Sequence, residues 1–214
     1  MPTPTDTLPL GRAMALADLP VFSCDLRNLP APLQAARQAL DDLRMQHPEP
    51  QSSNVRARYM SPWKSHRLHP GLLPLCQAVT QIAENCARSI GGFALSSLNL
   101  RLTVTDCWGA IYESADAALR HNHFPADFAA VVYLEAEDGC APIVFGGRMA
   151  VQPQPGMLVL FPGILDHEVP PTAGRRVVIA MNLHKVSTLL TAAAPAAVHG
   201  AEAATEQAGI PASA

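Results

Sequence analysis

After Gly92 the chain loses its helical period. Leu98, Leu100, Leu102 and Val104 alternate with Asn99, Arg101 and Thr103, the pattern of a half-buried strand. Six further runs follow: "CWGAIYES", "FAAVVYLEA", "PIVFGG", "MAVQP", "GMLVLFPG" and "RRVVIAMNLH". Each is short, apolar or β-branched, and bounded by Gly, Pro or Asp. Strands of this kind bury their apolar faces by stacking sheet on sheet or by closing into a barrel. The expected class is mainly β with flanking helices.

The helices come earlier. Leu33, Ala36, Leu40 and Leu43 repeat at helical spacing until Pro48 and Pro50 close the segment. Leu72, Leu75, Val79, Ile82, Cys86 and Ile90 form a second stripe, stopped by Gly91-Gly92. Before the first helix the chain is proline-punctuated, with a short strand expected at Val21–Cys24. Between the helices, "SSNVRARYMSPWKSHRLHP" is expected to be a long loop. From Ser187 the sequence is alanine-rich and almost free of large apolar residues, so it cannot offset its ordering entropy and is expected to be mobile. The expected organisation is an N-terminal extension with supporting helices over 1–92, a β core over 93–186, and a mobile tail over 187–214.

Composition narrows the function. With 214 residues, 49% of them hydrophobic and 15% charged, the chain can form one packed domain. A net charge of −3 implies no basic face, and no nucleic-acid partner is expected. No run is long and apolar enough for a membrane span, and the first residues lack the blocks of a signal peptide, so no membrane partner and a cytoplasmic location are expected. The five cysteines are scattered and form no C-x-x-C pair; they are expected to be free, mostly buried thiols. Assembly beyond a monomer, such as a homodimer, stays open.

The chemistry-bearing stretch is "LRHNHFPADFAAVVYLE". Residues i and i+2 of a strand share a face, so His121 and His123 converge if this stretch is extended. Two imidazoles on one face can chelate a first-row divalent metal, and His167 in "FPGILDHEVPP" offers a third ligand. An H-x-H pair alone is weak, since any one histidine is more often a turn or surface residue. The ordered conjunction carries the weight: the pair, an apolar strand, a glycine turn, a strand leading to His167, then Arg175 and Arg176 opening another apolar strand. An arginine there is costly to bury unless it meets an anion. His47, His66, His69, His184 and His199 lack such contexts.

These stretches resemble the iron(II)- and 2-oxoglutarate-dependent oxygenases, most closely their bacterial and phage branch with an H-x-H motif. The matching segments are "CWGAIYES", "HNHFPADFAAVVYL", "GMLVLFPGILDHEV" and "RVVIAMN", covering roughly Trp108 to Asn182. The resemblance implies a double-stranded β-helix, a jelly-roll or cupin-like core. It implies Fe(II), 2-oxoglutarate and O₂ as cofactor and cosubstrates, with release of succinate and CO₂. It implies hydroxylation of an amino acid, a peptide side chain or a small metabolite. His121, His123 and His167 would be the metal and catalytic residues. Arg176 would pair with the distal carboxylate of 2-oxoglutarate, and Tyr133 or Tyr112 could donate a hydrogen bond to it. For both tyrosines, a core aromatic with a satisfied hydroxyl is at least an equal reading.

Several features depart from the family pattern. The commonest ligand set is two histidines and a carboxylate, whereas His123 stands in the carboxylate position. The third ligand is therefore His123, Asp127 or water, with the three-histidine set preferred because it keeps the i, i+2 geometry. Phe124 separates His123 from Pro125, and Ala129-Ala130 replaces the family's Ser-Gly. Asp166 and Glu168 are expected to point away from the metal; Trp63, Lys64 and His66 lie in a loop that could cover a pocket mouth and recognise substrate, with a solvated connector the preferred reading. Two other functions compete: a cupin-type three-histidine dioxygenase without 2-oxoglutarate, and a non-catalytic jelly roll that binds a metal or ligand.

Overall fold

The computed structural model describes residues 19–51 and 53–189. The elements run β1 (Phe22–Asp25), α1 (Pro30–Gln46), β2 (Val55–Arg56), β3 (Tyr59–Met60), α2 (Ser65–Leu68), α3 (Leu73–Gly91), then β4 (Leu100–Tyr112), β5 (Ala117–His121) and β6 (Phe128–Ala136). They continue with β7 (Ile143–Phe145), β8 (Met149–Val151), β9 (Met157–Pro162), β10 (His167–Val169) and β11 (Arg176–Ser187). Two antiparallel sheets result, one ordered β1-β9-β6-β11-β4-β3 and the other β2-β5-β10-β7-β8. The expectation of a mainly β jelly roll with flanking helices therefore holds. Among the described residues, no helix is long and apolar enough to cross a membrane.

Alternation along the strands sorts the two faces of the larger sheet. On β9, Leu158 and Leu160 face outward and Val159 and Phe161 face the second sheet; on β11, Val177, Ile179 and Met181 face outward and Val178 faces inward. The outward set packs with Leu40 and Leu43 of α1 and Leu75 and Val79 of α3 into the main core. Gly109 permits this approach: a Cβ there would lie 2.3 Å from Leu40 Cδ1. Proline occupies the first turn of both helices, where no backbone N–H is needed, and α3 ends on Gly92 at φ 75°.

The expected loop between the helices is more ordered than its polarity implies. It contains β2 and β3, which extend the two sheets, and the single turn α2. A buried network holds it: Ser61 and Ser65 hydroxyls lie 2.7 Å apart, and Gly109 N–H donates to Ser61 Oγ at 2.8 Å. Leu98, expected in a strand, lies in a 3-10 turn, and the strand starts after Asn99 at φ 54°. The stretches from Leu98 and from "CWGAIYES" form one strand, β4, rather than two. At the other end, β11 carries the sheet through Ser187. The tail expected to be mobile spans 187–214; of it, residues 190–214 lie outside the described residues, as does His199. All five cysteines are free thiols, with Cys76, Cys107 and Cys140 buried.

Candidate metal centre

β5 ends at His121, which sits directly opposite His167 in the antiparallel pairing of β5 with β10. His123 lies two residues past the strand and is held separately: its N–H donates to the carbonyl of Gly163, which follows β9, at 2.7 Å. Gly163 must be glycine for this. A Cβ would stand 2.1 Å from the Ala126 carbonyl oxygen. The three rings gather, with centroids 4.3 Å apart for His121 and His167, 5.2 Å for His121 and His123, and 5.1 Å for the stacked pair His123 and His167.

Protonation is set by backbone carbonyls, which only accept hydrogen bonds. His121 Nδ1–H donates to Leu119 O at 2.6 Å and His167 Nδ1–H to Leu165 O at 3.1 Å, leaving each Nε2 free as a lone-pair donor. Burial lowers the affinity of all three rings for a proton. It takes His123 to about 3, with help from His167 and His121, and His167 to about 4, with help from His121. Neutral imidazole is the form that binds a metal.

One potential ligand atom from each histidine lies within 4.8 Å of the others. Three nitrogens each about 2.1 Å from one metal lie about 3.0–3.6 Å apart, so the widest pair has to close by more than about an ångström to complete a site. Three neutral nitrogens suit Fe, Zn, Ni or Cu. Asp127 is not part of this group: its carboxylate accepts the Lys185 backbone N–H at 2.7 Å and pairs with Lys185 Nζ at 2.8 Å. Asp166 points away, pairing with Arg120 and Asn122.

Arg176, Tyr112 and Tyr133 line the same cavity as the three histidines. Arg176 is 2% exposed, an unusual state for an arginine. Its guanidinium lies 4.0 Å from the centre of the Tyr112 ring and gives one hydrogen bond to Ala141 O at 3.2 Å. Its Nε has no hydrogen-bond partner among the described residues. Burial raises both tyrosine hydroxyls, so they stay protonated and able to donate. Arg175 points the other way, to Glu135 and Glu113.

Two further groups stand at the site that the preferred sequence reading left out of it. Trp63, expected in a solvated connector, packs edge-to-face against Trp108 at 4.7 Å, and Trp108 lies 5.9 Å from His123. Asn182 stands opposite Asp106 across β11 and β4, where an irregularity in register follows. The alternation of β11 carried the signal for Asn182, since it shares Arg176's parity.

No protein-family model and no curated protein match this chain. Solved structures do. A prolyl hydroxylase from Trichoplax adhaerens, solved with a peptide of the hypoxia-inducible factor oxygen degradation domain, matches with TM-score 0.55 and 18% identity, over 76% of this chain and 82% of that one. A Pseudomonas putida prolyl-4-hydroxylase matches with TM-score 0.55 and 18% identity, over 77% and 91%. The α-ketoglutarate-dependent epimerase SnoN of nogalamycin biosynthesis matches with TM-score 0.57 and 13% identity, over 90% of each chain. The chain therefore has the double-stranded β-helix fold of these non-haem oxygenase structures.

Proposed function

We propose that this protein is an Fe(II)- and 2-oxoglutarate-dependent oxygenase acting on a small molecule or a peptide side chain, with hydroxylation as the reaction. The observation that carries the reading is the pairing, in one cavity, of three convergent imidazoles with a buried arginine whose Nε is unpartnered. A buried guanidinium with donors to spare is a site for a carboxylate, and a charge-assisted fork gives both strength and orientation.

His121, His123 and His167 would hold the iron. When bound with 2-oxoglutarate and O₂, iron supplies an oxidant able to remove hydrogen from carbon, with succinate and CO₂ as co-products. The residues of the chain set the conditions. Arg176 anchors the distal carboxylate and Tyr112 keeps the guanidinium in place by lying under it. Tyr133 and Tyr112 hold protons that can be donated to a bound carboxylate. Phe145, Phe161 and Trp108 pack against the histidine rings, of which His167 is buried and His121 and His123 are half-buried.

Anaerobic titration of the Fe(II) protein with 2-oxoglutarate tests this. A visible charge-transfer band that saturates with cosubstrate is expected, and its absence overturns the reading. The all-histidine donor set favours a second reading, a cupin-type dioxygenase in which substrate alone drives O₂ uptake. Uptake without 2-oxoglutarate would select it.

A further inference from the structure

His121 and His167 have their ring protons fixed by backbone carbonyls, which cannot turn round. His123 meets a side chain instead. Its ring faces the Asn182 amide in the wall of a second cavity, of about 280 Å³, lined also by Asp106, Trp108 and His184. An amide can turn end for end, and each orientation suits a different tautomer of the imidazole it meets. We propose that Asn182 is a positioning residue of the metal centre: with its amide held by Asp106, it dictates which nitrogen of His123 carries the proton and which keeps the lone pair. This role rests on the triad as a metal site and not on 2-oxoglutarate.

Asp106 sets the amide. It stands opposite Asn182 in the pairing of β4 with β11, and directly opposite residues place their side chains on one face of the sheet. Burial would raise the Asp106 carboxyl, but hydrogen bonds from the Thr105 hydroxyl at 3.0 Å and Lys64 Nζ at 3.2 Å outweigh it and hold it below its ordinary range. An ionised carboxylate only accepts hydrogen bonds, so Asn182 presents Nδ2 to it. Oδ1 is thereby turned to His123, and it is buried with no other partner among the described residues. An amide oxygen also only accepts, so the His123 nitrogen beside it carries the proton.

The other nitrogen of His123 then keeps its lone pair for the metal, as Nε2 does in His121 and His167. The exchanged tautomer would set a lone pair against Oδ1 and aim an N–H at the metal, so it loses both contacts. Ring packing does not make this choice. Trp108 and Phe161, with ring centres 5.9 Å and 6.0 Å from that of His123, present apolar faces that meet both tautomers alike. An amide suits position 182 better than a carboxylate, because it donates to Asp106 and accepts from His123 at once. A metal-binding histidine depends on the partner of its second ring nitrogen, and losing that partner costs roughly 10–100-fold in metal affinity.

Long-range proton–nitrogen NMR of the metal-free, full-length protein at neutral pH reads the tautomer of each ring, and anaerobic Co(II) titration reads metal affinity. His123 of the native protein is expected to be a single tautomer. Asn182→Leu fills the space but accepts nothing. It is expected to turn His123 into a mixture, to leave His121 and His167 as they were, and to weaken Co(II) by at least about tenfold. Asp106→Ala frees the amide to turn and is expected to shift His123 the same way to a smaller extent. His184→Ala, in the same wall, is the control and is expected to change neither readout. A mixture in the native protein, an unmoved His123 or undiminished Co(II) affinity in Asn182→Leu, or an equal effect of His184→Ala overturns the proposal. If Asn182→Leu melts early, the native spectrum and Asp106→Ala decide. A tautomer lost with Asn182, without a 2-oxoglutarate band in the native protein, would leave this role standing and remove the oxygenase reading. The band with an unmoved tautomer would do the reverse.

Discussion

An imidazole whose Nδ1 proton is committed to a carbonyl has only Nε2 to offer, and His121 and His167 are both in that state. His167→Ala removes one of three ligands and opens the site, so the metal retained after dialysis is expected to fall at least about tenfold. Metal analysis checks this, and near-native content would contradict the assignment. Arg176→Ala is expected to weaken 2-oxoglutarate binding by at least an order of magnitude, since truncating one partner of a buried charge pair costs about 2–5 kcal/mol. Iron content should hold. Arg175→Ala is the control: it removes contacts to Glu135 and Glu113 on the outer side and leaves cosubstrate binding unchanged. Equilibrium titration of both variants separates the two. That Arg176 rather than Arg175 turns inward was legible from the resemblance, whose matching strand begins at Arg176; alternation adds only that the two neighbours face opposite sides. The convergence of His123 was legible for a different reason from the one that produces it, since it comes from the Gly163 carbonyl and not from strand alternation. Asn182 was within reach of alternation, since it shares Arg176's parity on β11, but Asp106 was not, because its place opposite Asn182 depends on the register between β4 and β11.

Two glycines show how elements are set against each other. At Gly163 an added Cβ would meet backbone, the Ala126 carbonyl oxygen at 2.1 Å, which cannot swing aside. Gly163→Ala is expected to cost about 1–3 kcal/mol of stability and to displace His123, lowering metal content as well as melting temperature. At Gly109 the Cβ would meet Leu40 Cδ1 at 2.3 Å, the end of a side chain that can change rotamer. Gly109→Ala is expected to lower the melting temperature by loosening α1 and to leave metal content intact. Parallel melts and metal analyses test the contrast, and loss of metal in Gly109→Ala would break it. The long strands and both long helices were legible because each carries several turns or repeats of one period. β2 and β3 were not. Two residues show no period, and they are strands only because Ala117, Ala118, Ala110 and Ile111 present open edges to them.

Across the whole molecule, burying three histidines away from water makes the metal-free protein sensitive to acid. The unfolded chain takes up protons near the ordinary histidine value of about 6.5, whereas folded His167 resists until about 4 and His123 until about 3. The unfolded state therefore binds more protons in this window, and stability falls as pH drops from about 6.5 towards 4. His167 alone contributes a loss on the order of 3 kcal/mol. Glu135 is a separate case. Burial would raise its carboxyl, but hydrogen bonds from Arg37 and Arg175 outweigh that and hold it below its ordinary range, so its stabilisation is lost only in stronger acid. Thermal melts in chelator across pH 7 to 4 are expected to slope down steadily, and a flat profile would contradict the burial of the triad. The cross-strand placement of His121 against His167 has a kinetic consequence. β10 spans three residues, held between β5 and β7, while β11 is twelve residues long and paired on both sides. Backbone amides of β10 will trade hydrogen for deuterium far faster than those of β11. An ion gripping His121 and His167 is a staple across that short pairing, and it will slow exchange in β5 and β10 while leaving β11 as it was.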